Sequence, residues 1–311
     1  MKILTLFTVY VIALSSTAWS QDSQYAGDAL QLGAGARALG LGSAFVAISD
    51  DATAFFWNPG GYAILPKREL HAQHTEQFGG SINHDIIAIG FPLKRGGIGL
   101  GLVRLGVDGI SFTQLENPNR PLGPDNRPQI SQTVGTTDNV LYLSYAHKLK
   151  PGFSLGISSK FIHRALHVGK GTGFGLDTGI LYHPSGALKF GVVIRNITQT
   201  RIHFDTNTTD AISPSLLVGT SYLHKFSQRH QILGSASLHL GEDTSGIEKN
   251  QIFNMGLEYQ FKQRLMFRLG RQGTHLTAGA GLKLSRATID LAFLENNQLN
   301  NTYRISTSIY F

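Results

Sequence analysis

The chain has 311 residues, with 27 Lys and Arg against 20 Asp and Glu, and it contains no cysteine. It therefore carries neither disulfides nor a cysteine-based metal centre. Only 41% of the residues are hydrophobic and 36 are glycine, and beyond residue 20 no uncharged apolar run reaches the ~18 residues of a membrane helix, which excludes a helical membrane protein. The formal charge of +7 raises the question of nucleic acid. The basic residues read as scattered, with no basic run, so no nucleic-acid partner is expected.

Residues 1–20 read as a signal peptide. Lys2 supplies a short positive start, Ile3 to Leu14 is charge-free and mostly apolar, and Ala18-Trp19-Ser20 has the small-x-small form of a cleavage site. Residues 21–66 follow a different pattern, in which Gly33, Gly35, Gly40 and Gly42 interrupt the chain. Ser49-Asp50-Asp51 can cap a short helix through Ala52 to Trp57, and Asn58-Pro59-Gly60-Gly61 reads as a turn. This segment also holds Phe45, Phe55, Phe56, Trp57 and Tyr62, large groups that water does not favour. It is expected to thread the barrel described next as a hatch. Asp50 and Asp51 would pair with inward Lys and Arg while the aromatic groups fill space.

Residues 67–311 read as fourteen strands of about ten residues. They are expected near 69–77, 82–91, 97–107, 138–148, 153–163, 174–183 and 188–197, then near 213–225, 230–240, 250–261, 264–271, 275–284, 287–295 and 302–311. Alternate side chains of a strand point to opposite faces. One face repeats as Phe153, Leu155, Ile157 and Phe161, as Leu188, Phe190, Val192 and Ile194, and as Phe253, Met255, Leu257, Tyr259 and Phe261. The other holds Lys160, Asp177, Lys189, Arg195, Glu258, Arg268, Lys283 and Asp290 among Gly and Ser. A charge on the lipid side would cost about 2–4 kcal/mol at the midplane, so these residues must face a wet or plugged lumen.

Every other connection is tight, and the alternating ones include longer segments near 108–137, 164–173, 198–212, 241–249 and 296–301. That is the arrangement of a bacterial outer-membrane barrel. The fold class expected is all-β: a 14-stranded antiparallel transmembrane barrel with an N-terminal hatch holding one or two small helices.

The hatch segment also carries a resemblance. Gly35 to Ala47 (GARALGLGSAFVA), Asp50-Asp51-Ala52-Thr53-Ala54 and Trp57-Asn58-Pro59-Gly60-Gly61 resemble the start of PorV/PorQ-family proteins, which are FadL-like outer-membrane barrels of fourteen strands. Lys160 to His163, Phe174 to Gly179, Gly191 to Asn196 and Tyr303 to Phe311 look like strands of that family. The usual Asn-Pro-Ala is Asn-Pro-Gly here. The resemblance implies a hatch containing Asn58 and Pro59 inside the barrel, and a final Phe311 similar to the signal read by barrel-assembly machinery. It also implies a component of protein secretion or surface attachment, as in type IX secretion, with outer-membrane lipid around it and protein partners at its outer loops. The alternative is a FadL-like transporter of hydrophobic small molecules.

Chemistry is sparse. Gly97 to Gly101 and Gly171 to Gly175 follow no strand-then-helix pattern, so they read as lumen-facing glycines rather than a nucleotide loop. The His residues are dispersed, Asp50-Asp51 lacks the oxygen set that calcium needs, and no nucleophile motif accompanies His163. No catalytic residue, cofactor or metal is expected. The long segment 108–137, with Pro118, Arg120, Pro121 and Arg127, is the candidate partner-binding loop.

Overall fold

The computed structural model describes residues 30–77, 80–242, 249–296 and 300–311. Residues 1–20, read above as a signal peptide, lie outside them. Three short helices come first: α1 (Ala36–Gly40), α2 (Ala54–Trp57) and a 3-10 helix (Pro59–Ile64). Six strands then run as β1 (Glu69–Gln77), β2 (Ile82–Leu93), β3 (Gly96–Leu115), β4 (Pro128–Lys150), β5 (Phe153–Leu166) and β6 (Gly169–Tyr182). Next come β7 (Leu188–Arg195), β8 (Thr200–Phe204), β9 (Thr209–Ile212), β10 (Ser215–Lys225) and β11 (His230–Glu242). The last are β12 (Lys249–Phe261), β13 (Leu265–Gln272), β14 (His275–Lys283), β15 (Ala287–Leu294) and β16 (Thr302–Tyr310).

All pairings are antiparallel, and β1 meets β16, which closes the ring. β7 and β8 lie end to end along β6 and pair with β10 and β9 respectively. Each of these couples is one interrupted stave, so the sixteen strands make a closed barrel of fourteen. The interruption is built by Asn196 and Gln199, whose φ angles are 54° and 55°. Asp177 holds it in place by accepting the Asn196 N–H at 2.7 Å while paired with buried Lys160 at 2.8 Å. Closure matters because a strand edge left unpaired in hydrocarbon would expose backbone groups that lipid cannot satisfy.

Side-chain alternation is kept around the wall. On β16, Tyr303 and Ile305 are 61% and 45% exposed, whereas Arg304 and Ser306 are buried. The outward positions of β5, β7 and β12, including Phe161, Phe190 and Leu257, are likewise exposed and apolar. This belt requires lipid. The inward charges Lys160, Asp177, Glu258, Arg268 and Asp290 are all buried. Lys283 is exposed at the rim, over the Tyr310 ring.

Expectations about the connections and about the basic residues need correction. The segment 108–137 is not mainly a loop: β3 and β4 stay paired as far as Leu115 and Pro128, leaving only residues 116–127 as a tip. Its Ser, Thr and Gln are exposed on both faces, because above the membrane no apolar face is required and the alternation signal fades. The segment 164–173 also contracts, to a turn at residues 167–168.

The basic residues are not scattered once the turns are placed. Lys67 and Arg68, Lys94 and Arg95, Lys148 and Lys150, Lys225 and Arg229, Lys262 and Arg264, and Lys283 and Arg286 all sit exposed on the rim where the barrel begins and ends. In a strand meander every second turn returns to the same rim, so residues far apart in sequence form one band.

The belt assignment gives a direct test. Leu257→Arg should abolish or strongly reduce insertion, by roughly 2–4 kcal/mol if it lies near the midplane. Leu122→Arg, at the hairpin tip, should insert normally. Heat-modifiable gel migration of the two variants checks this; equal insertion would place Leu257 outside the lipid.

Candidate functional site

The lumen is occupied by residues 30–65, and the wall is shaped to receive them. A Cβ on Gly99 would overlap the Tyr62 ring, and one on Gly101 would lie 2.6 Å from the Phe55 ring. Glycine here is required by the close approach of the hatch. Phe45, Phe55, Phe56 and Trp57 are at most 5% exposed and stack edge-to-face along the segment, with Phe55 also against Tyr142 of β4. The polar edges of the large rings are satisfied: Trp57 Nε1 donates to Ala34 O at 2.7 Å and Tyr62 Oη to Ala52 O at 2.8 Å. Around these aromatics the space is packed, not open.

Asn58 does more than make a turn. Its Nδ2 donates to Val46 O and to Ile180 O of β6, both at 3.0 Å, while its Oδ1 accepts from Gly60 N and so caps the 3-10 helix. Pro59 opens that helix and sits where a Cβ on Gly156 would fall. Ser49 and Asp50 do not cap α2. Ser49 Oγ bonds back to Phe45 O, and only Asp51 reaches the helix start, accepting from Thr53 N at 2.9 Å and Thr53 Oγ1 at 2.5 Å.

Asp50 is used electrostatically instead. Its carboxylate lies 2.7 Å from Arg37 and 3.6 Å from Lys189 of β7. Burial by itself would raise its pKa, but Arg37 and Lys189 hold it below the ordinary carboxylate value. Burial and the neighbouring Asp50 push Asp51 the other way. Arg37 then passes the chain of charge to Glu258 of β12 at 3.1 Å, Glu258 pairs with Arg268 of β13 at 2.6 Å, and Arg268 with Asp290 of β15 at 2.7 Å. Two residues of the hatch, Asp50 and Arg37, thus join β7 to β12, β13 and β15 across the lumen. The position of Arg37 in α1 was not legible, because Gly35 and Gly40 read as breaks rather than as the ends of a helix.

The inner wall around the hatch has two unlike sides. The inward positions of β2 to β5 and β8 carry Ile82, Ile86, Val103, Leu105, Val140, Ile162 and Ile202, all at most 5% exposed. They form one continuous cluster with Phe45, Phe55, Phe56 and Trp57, and Leu30, Leu32, Phe204 and Ile212 pack against it. The inward positions of β11 to β16 carry Ser235, Ser237, Asn254, Glu258, Arg268, Asp290, Arg304 and Ser306. A water-filled pore would be polar throughout. Here an inward aliphatic cluster reaches the hatch aromatics, interrupted by buried His84 and by the ion pairs Lys160–Asp177 and Arg164–Asp138.

The other singled-out residues lie elsewhere. Pro118, Arg120, Pro121 and Arg127 are exposed at the hairpin tip, far in sequence from the hatch. The tip is ordered by buried Asn126, whose Nδ2 donates to the carbonyls of Asn117, Arg120 and Pro121. Phe311 is 60% exposed beside the rim and donates its N–H to Arg68 O. His163 faces outward on β5, away from the lumen. Among the described residues no group of three His, Asp or Glu could hold a metal ion.

A family model described as an uncharacterised protein family, UPF0164, matches residues 9–174. No curated protein matches the chain. Among solved structures, CymD, a monoaromatic hydrocarbon channel, is 12% identical with a TM-score of 0.60, covering 90% of this chain and 98% of its own. The Pseudomonas putida toluene transporter TodX is 12% identical with a TM-score of 0.59, covering 89% of this chain and 97% of its own. A Pseudomonas aeruginosa FadL homologue is 13% identical with a TM-score of 0.50, covering 88% and 97%. At these identities the likeness is one of fold.

Replacing Arg37 by Leu removes the one hatch residue shared by both carboxylates. Asp50 keeps Lys189 and Glu258 keeps Arg268, so the barrel should still assemble while the hatch loosens. Single-channel recording should show frequent openings in Arg37→Leu and near silence in the parent. Silence in both would mean that this charge chain does not hold the hatch.

Proposed function

Because this chain belongs to the uncharacterised family UPF0164, whose model matches residues 9–174, and has the fold of outer-membrane hydrocarbon channels, we propose that it passes hydrophobic small molecules across a bacterial outer membrane. The observation that carries the proposal is the inward aliphatic cluster from Ile82 to Ile202 that merges with the hatch aromatics. Apolar groups lining the inside of a barrel gain nothing from a polar solute, whereas a hydrocarbon or other apolar molecule can lie along them and leave water behind. The polar half-wall anchors the hatch through Glu258 and Arg268. The hatch keeps the lumen shut to ions, and solute moves when its packing against the apolar side loosens. No catalytic group is needed for this work.

The PorV/PorQ resemblance supports a second reading, a component that handles secreted proteins at its outer surface. What favours it is the projecting β3–β4 hairpin, whose strand edges beyond Val107 and before Thr137 pair, among the described residues, only with each other. Free edges of this kind can accept a strand from a partner.

One pair of variants separates the readings. In cells lacking their own hydrocarbon channel, the parent chain should speed uptake of a labelled monoaromatic hydrocarbon. Val103→Asn with Ile162→Asn should reduce that uptake several-fold without loss of assembled barrel. Replacing residues 109–134 by a short turn should leave it unchanged. Uptake no faster than in cells without the barrel would overturn the transport reading, and loss of a surface partner on hairpin removal would favour the second.

A further inference from the structure

The basic rim has a built site in it. A cavity of about 740 Å³ lies between the turns at residues 94–95 and 151–152 and the start of the 183–187 connection. Arg95, Lys148, Lys150 and His183 line it, and no Asp or Glu does. On its inner side is Ser154, 1% exposed, whose Oγ has no hydrogen-bond partner. A buried hydroxyl without a partner is costly, and a lining of cations with no carboxylate repels itself; both are relieved by an anion with several acceptor oxygens.

The cavity is also greasy on one side. Leu149, 57% exposed, Phe153, Pro151 and Ile64 also line it, beside His147; Lys150 lies 5.5 Å above the Phe153 ring, and Leu155 continues outward into the lipid belt. A free phosphate would leave most of this volume and all of this apolar surface unused. An amphiphile matches both. The rest of the rim repeats the charge: the segments 66–68, 94–95, 148–152, 183–187, 225–229, 262–264 and 283–286 contain no Asp or Glu. The opposite rim mixes signs, with Asp108, Glu116, Asp125, Asp205 and Asp210 beside Arg120 and Arg127.

We propose that the tight-turn rim binds phosphate head groups of anionic phospholipids, with one lipid held in the cavity between Arg95, Lys148, Lys150 and Ser154 and its acyl chains laid along Leu149, Phe153 and the belt. By the arrangement of outer-membrane barrels, short turns face the periplasm, so the lipid belongs to the inner leaflet. A band of Lys and Arg at a bilayer surface attracts anionic lipid. The cavity adds a specific seat, fixing the rim's depth and the angle at which the hatch end, at Ile64, meets the wall.

Native mass spectrometry of the full chain in detergent tests this, with phosphatidylglycerol added and diacylglycerol of the same chains as the phosphate-free probe. The parent should retain one phosphatidylglycerol at detergent levels that strip the others, and should retain no diacylglycerol. Arg95→Gln with Lys148→Gln and Lys150→Gln should lower retention about tenfold, while Arg120→Gln with Arg127→Gln on the opposite rim should not change it. Lys150→Gln alone, at an exposed turn, gives a lesser loss in a chain whose folding is not in question. Equal retention by the parent and the single and triple variants would overturn the proposal. So would displacement of the lipid by inorganic phosphate at equal concentration, which would make the site one for a free anion.

Discussion

Arg37 occupies the point on which this barrel's interior depends. Its guanidinium bridges Asp50 of its own segment and Glu258 of the wall, and through them reaches Lys189, Arg268 and Asp290. Glu258 and Arg268 are fully shielded from solvent, so neither could be left alone without a penalty of about 3–5 kcal/mol. Such a chain is not an efficient source of stability, since an apolar replacement of equal volume can do as well. What it supplies is a single register for the hatch, because only one placement of α1 satisfies both carboxylates.

The rest of the lumen follows from that register. With α1 held against β13 to β16, α2 and the 3-10 helix are brought against β2 to β6. There the wall thins to Gly97, Gly99 and Gly101 to admit Tyr62 and Phe55. Charge pairs hold the hatch on the β12 to β15 side, while on the other side it is held by packing together with the bonds of Asn58 to Ile180 O, of Ser158 to Phe55 O and of Arg195 to Phe56 O.

Much of the barrel was legible because lipid imposes a simple rule on it. Wherever a strand crosses the belt, as at Phe190 and Val192 or Leu257 and Tyr259, period-two alternation marks it correctly. Where the rule lapses, so does the reading: Ser111 to Gln114 and Gln129 to Thr133 are strands with water on both faces. The hatch was legible as a composition but not as a mechanism. The sequence reading treated Phe45, Phe55, Phe56 and Trp57 as filling and Asp50 as a wall contact, yet the partner of Asp50 thirteen residues earlier lay behind Gly40. Nor could the inward aliphatic residues be recognised, because Val103 and Ile162 look the same in sequence whether they face a lumen or lipid. The basic rim was hidden for a topological reason, since its members come together only when alternate turns are brought to one side.

The central claim, that residues 30–65 are seated inside the ring with the register set by Arg37, can be tested with a single crosslink. The chain has no cysteine, so an introduced pair has no competitors. A Cβ built on Gly219 of β10 lies 3.1 Å from the Val46 Cβ, close to the ~3.8 Å of a disulfide. Val46→Cys with Gly219→Cys should form an intramolecular disulfide in the inserted barrel under mild oxidation, seen as a mobility shift that reduction reverses. Adding Arg37→Leu should reduce its yield. A pair that stays reduced in well-inserted protein would contradict the account, for it would mean that the hatch does not lie against that wall.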